Sequence, residues 1–541
     1  MNDTNVARFL DQQVRDNPES AALKIPTRKK NLLSYRTYSF RELDQLVAWR
    51  RNTLQGQGIR TGTRTLLLVK PGLDLIVTVF AMFKEGAIPI VIDPGMGLRG
   101  FLQCVRHTQP EALVGIPAGQ IVSRVFWPSF RSVKHRLWVR GKDLSQAPAN
   151  PVTSQPAVPR KSGDQAAILF TSGSTGPAKG VTYTHGMFDA QVRLIRDTWE
   201  IQPGEIDLPM LPVFALFNPA LGMTTVVPEI NPSRPATVDP AKIIEAVEQN
   251  GVTNSFGSPV LWKIITAYAE KHNLRLTGPR RILMAGAPVP ASLHEKVRER
   301  IPGAQTFTPY GATEALLVSS ISGEEILQRA RTATREGKGT CVGKPVEGLE
   351  VRVIDFVDGP LSGEQQTRTL PSGEIGEIIV RGPVVTETYD QLPEATAKGK
   401  IPSPQGVWHR MGDMGYFDRE GLLWFCGRAA ERVLTAEGPL YTDCVEGIFQ
   451  DFPGLNRVAL IGLGPAGEQT PTLIAEPEVW PRDETTRESL REKLRQKAIE
   501  NPLSAKVKKF FLHRKFPVDV RHNAKIHRLT LKKIFEAKSG T

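Results

Sequence analysis

The run "TLLLV" (Thr65–Val69), then "DLIVTVFAMFKEG" (Asp74–Gly86), then "IPIVID" (Ile88–Asp93) limits this chain's folds more than any other feature. A short, unbroken run of branched apolar residues suits a strand covered on both faces. The longer middle segment has no breaker before Gly86, the residue type on which helices end. Strand, helix and strand in that order make a parallel pair joined by a right-handed crossover. The rhythm returns at "RILMAG" (Arg281–Gly286) and "APVPASLHEKVRERIPG" (Ala287–Gly303). An α/β chain with parallel-rich sheets is expected.

At 541 residues the chain is too long for one core. Near "GRAAERVL" (Gly427–Leu434) the grain changes. Two strand-like runs, "RVALIGLG" and "TLIAEP", precede an amphipathic "TTRESLREKLRQKAIE". We read a large body over residues 1–427 and a small α+β domain over 428–541, with a hinge near 428–430. "SQAPANPVTSQPAVPRK" (Ser145–Lys161) is a Pro-rich loop.

The N-terminus lacks the charged start and apolar run of a signal peptide. The longest apolar stretch contains Asp74, ends at Lys84 and is too short to span a bilayer. Cys104, Cys341, Cys426 and Cys444 form no CxxC and match no metal spacing. A soluble, cytoplasmic protein with reduced thiols is expected.

"AAILF" (Ala166–Phe170) is a buried strand, and "TSGSTGPAKG" (Thr171–Gly180) leaves it. Gly173 and Gly176 permit tight turns and close backbone approach. Bare amides of the loop from Thr171 and the hydroxyls of Ser172, Ser174 and Thr175 supply donors, and Lys179 supplies a cation. This is a polyphosphate cradle. It is not a Walker A loop, because Lys179 is followed by Gly180 rather than Ser or Thr. The net charge of +13 gathers partly in "KVKKFFLHRKF" and "VRHNAKIHRLTLKK". No helix-turn-helix, zinc finger or stacking-aromatic pattern accompanies it, so no nucleic-acid partner is expected. A basic end facing an anionic substrate such as ATP, or a solvated face, accounts for the charge.

"FTSGSTGPAKGV" resembles the phosphate loop of the adenylate-forming enzymes, which include acyl-CoA synthetases, peptide-synthetase adenylation domains and luciferases. Further motifs follow in that family's order. "GAP" (Gly286, Ala287, Pro288) resembles the segment along the adenine. "TPYGATE" runs through Thr308, Tyr310, Gly311, Thr313 and Glu314 and resembles the motif whose tyrosine stacks on adenine. The resemblance gives Thr175 and Glu314 to Mg²⁺ and to catalysis, Asp413 to the ribose hydroxyls, and Arg428 to ATP/AMP binding at the domain junction. It makes Lys525 the catalytic contact to the reacting carboxylate and α-phosphate. ATP and Mg²⁺ are the implied cosubstrate and cofactor. Each role suits its residue: a hard carboxylate oxygen for Mg²⁺, an ammonium where negative charge gathers.

Three places depart from the thioester-forming members. Ala430 stands where the hinge is usually Asp or Lys, "LTAEGPLYTDCVE" replaces the usual loop, and "PVFALFNPALG" lacks the usual histidine. Long stretches such as "FPVDVRHNAKI" instead resemble the β-lactone synthetase branch of bacterial long-chain olefin biosynthesis. That branch implies a 2-alkyl-3-hydroxy fatty acid whose own hydroxyl closes a β-lactone after adenylation. The implied partners are the pathway's β-lactone decarboxylase and dehydrogenase. A long-chain fatty acyl-CoA synthetase is the alternative. Phe214, Phe217, Leu221, Phe256 and Gly257 are candidates for the acyl pocket, with ordinary core as their other reading.

Overall fold

The computed structural model describes residues 4–29, 32–141, 144, 154–170, 178–231, 237–519 and 525–539. The opening strand, helix and strand appear as Arg64–Leu68, Leu73–Glu85 and Ile88–Val91, the two strands parallel. Gly86 ends the helix in the left-handed conformation (φ 73°). The segment read as the longest apolar stretch is a core helix, buried at every position from Ile76 to Glu85. Its Lys84 is fully buried because Asp11 and Asp44 pair with it, each at 2.5 Å; an unpaired ammonium there would carry a large desolvation penalty.

This unit belongs to a six-stranded sheet ordered His135–Trp138, Ala112–Gly115, Arg64–Leu68, Ile88–Val91, Gln165–Phe170, Gly180–Thr184. All neighbours are parallel except the last pair. A larger, fourteen-stranded sheet forms the rest of the body. Parallel pairing runs through Gln305–Ala312, Arg281–Met284, Asn254–Gly257, Ile206–Pro209, Thr224–Val226 and Ala21–Lys29. Beyond Gln305–Ala312 the sheet turns antiparallel, through Ala315–Ser322, Thr340–Pro345, Leu423–Arg428, Gly406–Phe417, Gly376–Arg381 and Glu350–Ile354. The parallel-rich expectation therefore holds for the six-stranded sheet and one half of the larger one. In the other half only the strands Glu350–Ile354, Gly376–Arg381, Gly406–Phe417 and Leu423–Arg428 pair as a meander in chain order.

The smaller C-terminal domain has its own three-stranded sheet of Leu455–Leu463, Thr470–Pro477 and Lys509–Leu512. Helices Thr442–Ile448, Glu484–Ile499 and Arg528–Ser539 accompany it. Thr442–Ile448 sits directly on the strand Leu423–Arg428 of the body. A Cβ at Gly427 (φ 133°) would stand 2.4 Å from Thr442 Oγ1, so this close approach needs glycine. All four cysteines are buried and unbridged. No helix among the described residues is long and apolar enough to cross a membrane.

Candidate active site

A cavity of about 1770 Å³ opens where the two sheets of the body meet the small domain. That is larger than the roughly 300–1,000 Å³ of ordinary ligand pockets. One end is polar. Lys179 enters it from the residue before the strand Gly180–Thr184, and Gly286 from the end of Arg281–Met284. Gly286 holds φ 99°, a conformation costly for any side chain-bearing residue. Gly311 comes from the end of the strand Gln305–Ala312, and Thr313 and Glu314 from the tight turn between it and Ala315–Ser322. Arg428 ends its strand at the cavity, and Lys525 reaches it from the small domain.

Asp413 and Arg428 are cross-strand partners. Arg428 donates to Asp413 Oδ1 at 2.5 Å, while the Tyr310 hydroxyl donates to Oδ2 at 2.6 Å. Both carboxylate oxygens are thus held. The Asp413 charge raises the guanidinium's pKa, and burial beside Asp413 pushes the Tyr310 phenol well above its usual range. Lys525 donates its backbone N–H to Asp519 Oδ1 at 2.8 Å, and Asp519 returns its own N–H to the Lys525 carbonyl at 3.0 Å. Burial, with Arg428 nearby, lowers the Lys525 pKa.

Not every residue of the motifs reaches the cavity. Thr308 is buried on the far side of its strand, where its hydroxyl meets His294 Nε2 at 3.4 Å. Ala287 and Pro288 follow Gly286 without lining the cavity, and Tyr310 and Asp413 stand behind its surface. Thr171, Ser172, Gly173, Ser174, Thr175 and Gly176 lie outside the described residues.

The structure adds a residue that the motifs did not include. Tyr389 donates its hydroxyl to Glu314 Oε1 at 2.9 Å and turns its ring to Lys179, whose Nζ is 4.7 Å from the ring centroid. Glu314 Oε2 has no hydrogen bond among the described residues. Behind them Lys400 is buried on Thr386, and burial pushes its ammonium down to about 7, with Glu314 pulling the other way.

The other end of the cavity is apolar. Phe214 and Phe256 stack with centroids 3.7 Å apart, and Phe217 lies 6.3 Å from Phe214. All three line both the cavity and a small apolar void behind it, which Leu221 also lines. They are pocket surface and core at once. Gly257 is not on the cavity: a Cβ there would stand 2.6 Å from Met210 Cε and 3.2 Å from Trp262 Nε1.

Asp207 borders the same void, fully buried, accepting from Asn218 Nδ2 at 2.8 Å. Burial pushes its carboxyl up from 3.8 to about 7. Between those values the folded chain keeps a proton that the unfolded chain has released, so stability falls as pH rises through the window. Asp207→Asn removes that slope. Thermal melts across the window should show the variant gaining on the parent as pH rises, by an amount on the order of a few kcal/mol at the upper end. Parallel pH profiles would contradict the assignment.

The family described as AMP-binding enzyme matches residues 10–390, and the chain belongs to that family. Within it the chain is 42% identical over 540 residues to the olefin beta-lactone synthetase of Stenotrophomonas maltophilia strain K279a, covering 97% of this chain and 96% of that protein. It is 41% identical over 539 residues to the olefin beta-lactone synthetase of Xanthomonas campestris pv. campestris, with the same coverage. Four relatives named as CoA ligases or synthases are 27–29% identical over 301–459 residues. The ATP-bound crystal structure of MatB from Rhodopseudomonas palustris superposes with a TM-score of 0.79 at 20% identity over 99% of each chain, a likeness of fold.

Proposed function

We infer that this chain is an ATP-dependent β-lactone synthetase acting on a long-chain 2-alkyl-3-hydroxy fatty acid. One observation carries the reading: a single cavity joins a polar end holding Lys179, Glu314, Arg428 and Lys525 to an apolar end built on Phe214, Phe217 and Phe256. The near-full-length similarity to two olefin beta-lactone synthetases supports the same choice.

In this reading ATP lies at the polar end. The ribose hydroxyls take over the Asp413 oxygens now occupied by Tyr310 and Arg428, and the Tyr310 ring is freed to face adenine. Lys179 and the loop Thr171–Gly176 hold the phosphates. The substrate carboxylate attacks the α-phosphorus, and pyrophosphate leaves. Lys525, brought in by the small domain, neutralises charge where carboxylate and phosphate meet. The substrate's own β-hydroxyl then attacks the activated carbonyl and gives up its proton to water or to the departing phosphate, AMP leaves, and a four-membered lactone closes. The nucleophile is tethered, which supplies a large effective concentration and needs no second substrate.

Mg²⁺ fits the acid end of this site. Glu314 presents a hard carboxylate oxygen, and Mg²⁺ commonly takes one or two protein carboxylates with phosphate and water as its other ligands. Bound there with Thr175, it would neutralise the triphosphate. Tyr389 is the positioning residue, fixing Glu314 with its hydroxyl and Lys179 with its ring. The domain division after residue 427, with rotation about Arg428–Ala430, belongs to the same proposal. Arg428, Ala429 and Ala430 all line the cavity, so movement there would reshape it.

A fatty acyl-CoA synthetase would share the first half-reaction, and CoA separates the two. The purified chain with MgATP and a 2-alkyl-3-hydroxy fatty acid, without CoA, should give β-lactone and AMP in equal amounts, read by proton NMR and nucleotide analysis. Product appearing only after CoA is added, as a thioester, would overturn the reading.

A further inference from the structure

Six large apolar side chains are exposed among the described residues. Four of them, Leu98 (50%), Ile121 (56%), Val125 (67%) and Trp127 (58%), fall within one stretch of sequence. Leu98 opens the helix Gly97–Thr108, Ile121 and Val125 lie on Pro117–Val125, and Trp127 begins the turn Trp127–Ser129. These elements are neighbours: the rings of Phe101 and Phe130 are 6.3 Å apart beneath them. Exposed apolar residues scattered singly need no account, but a group on adjoining elements does.

The same two helices line the cavity with their other sides, the first through Leu98 and Phe101, the second through Gly119 and Val122. Leu98 belongs to both surfaces. Leu98 therefore links the cavity lining to the outer surface of the first helix.

The charge around this patch is one-sided. From Pro94 to Arg140 the chain carries seven Lys and Arg against one carboxylate, Glu111. Arg99, Arg124, Arg131 and Lys134 are exposed and make no ion pair among the described residues. Tryptophan and branched aliphatics on adjoining elements, flanked in the sequence by exposed cations without carboxylate partners, is the composition of a face that rests in an anionic lipid interface. A carboxylic acid with long alkyl chains also resides in such a bilayer rather than in water.

We propose that this surface docks the chain on anionic lipid bilayers, and that the long-chain acid enters the cavity between the helices Gly97–Thr108 and Pro117–Val125. Docking stands on the patch and its charge alone; the entry route rests on the function inferred above.

Flotation with vesicles tests it. The parent should float with vesicles of phosphatidylcholine mixed with phosphatidylglycerol, stay behind with phosphatidylcholine alone, and lose binding as salt is raised. Ile121→Ser, Val125→Ser and Trp127→Ser combined should abolish flotation, and Arg99→Ala should weaken it about fivefold. ATP–pyrophosphate exchange with a short, water-soluble 3-hydroxy acid should be unchanged in these variants, which separates the surface from the active site. Turnover of a long-chain acid presented in vesicles should fall in the triple variant. A parent that ignores anionic vesicles, or a triple variant that floats as well as the parent, overturns the proposal. So does a lipid-free parent that self-associates through this patch and a triple variant that does not, since the face would then serve a second copy of the chain. Failure of the functional reading looks different: vesicle binding persists while neither acid supports pyrophosphate exchange.

Discussion

Lys525→Ala lowers the rate of adenylate formation by about a hundred- to a thousandfold, the usual cost of removing one donor aimed at charge that develops during reaction. ATP binding, measured at equilibrium, largely survives. The physical case lies in how the residue is held. Asp519 accepts the Lys525 backbone N–H and donates its own N–H to the Lys525 carbonyl, so the backbone is fixed at both polar atoms. The side chain then enters a cavity where Arg428 already stands. Two cations at one end of a cavity are tolerable when an anionic triphosphate lies between them. Without it, burial and Arg428 lower the lysine's pKa below its ordinary 10.5. The sign follows: the ammonium is the useful form, so adenylation by free enzyme falls as pH rises through a value below the ordinary lysine range. The residual activity of Lys525→Ala should lack that alkaline limb. Pyrophosphate release measured against pH for both proteins reads rate and limb together. An unchanged rate in the variant removes Lys525 from the chemistry.

Which residues the sequence disclosed, and which it hid, follows from the range of the interactions. Lys179 and Glu314 sit in short motifs beside strand ends and Lys525 in one just before the last helix, and a loop that leaves a buried strand can be read from a dozen residues. The Glu314–Tyr389 bond spans 75 positions, and nothing around Tyr389 marks it as a partner. Thr308 shows the opposite failure. It belongs to the same motif as Pro309 and Gly311, which line the cavity, but successive residues of a strand face opposite ways, and its hydroxyl goes to His294. The strand–helix–strand reading gave the six-stranded sheet because parallel pairing needs crossovers that leave a helical period in the sequence. The antiparallel strands from Ala315 to Arg428 leave no such trace, and pairs such as Glu377 with Arg410 form only once the meander is folded. Phe214, Phe217 and Phe256 resisted a choice between pocket and core for a structural reason: each lines the cavity and the void behind it.

Arg528→Met should cost about 3–5 kcal/mol of stability, the range for breaking a buried ion cluster by removing one member. Arg528 begins the last helix, with its side chain mostly buried (14% exposed). It donates to both oxygens of Glu446, at 2.8 and 2.5 Å, and to Glu431 Oε2 at 3.0 Å. Glu431 follows directly on the junction at Arg428–Ala430, and Glu446 lies on the helix that sits against the body. One guanidinium thus ties the last helix to the start of the small domain. Asp443 is buried in the same cluster, its carboxyl pushed up by burial and by Glu446 and Glu431 while Arg528 opposes the shift. Removing Arg528 leaves the three carboxylates without their cation. The Asp443 carboxyl then loses the charge that opposes its upward shift, so the loss is greatest where Asp443 is ionised and shrinks as pH falls and it takes up a proton. Urea unfolding at neutral and acid pH should show that partial rescue. Arg528→Lys keeps the charge but not the fork that meets both oxygens of Glu446, and should fall between parent and Met variant. Because Lys525 stands just upstream of this helix, the Met variant should also adenylate more slowly, whereas Lys525→Ala should melt like the parent. A Met variant as stable as the parent at neutral pH would mean that the cluster neither holds the last helix nor places the lysine.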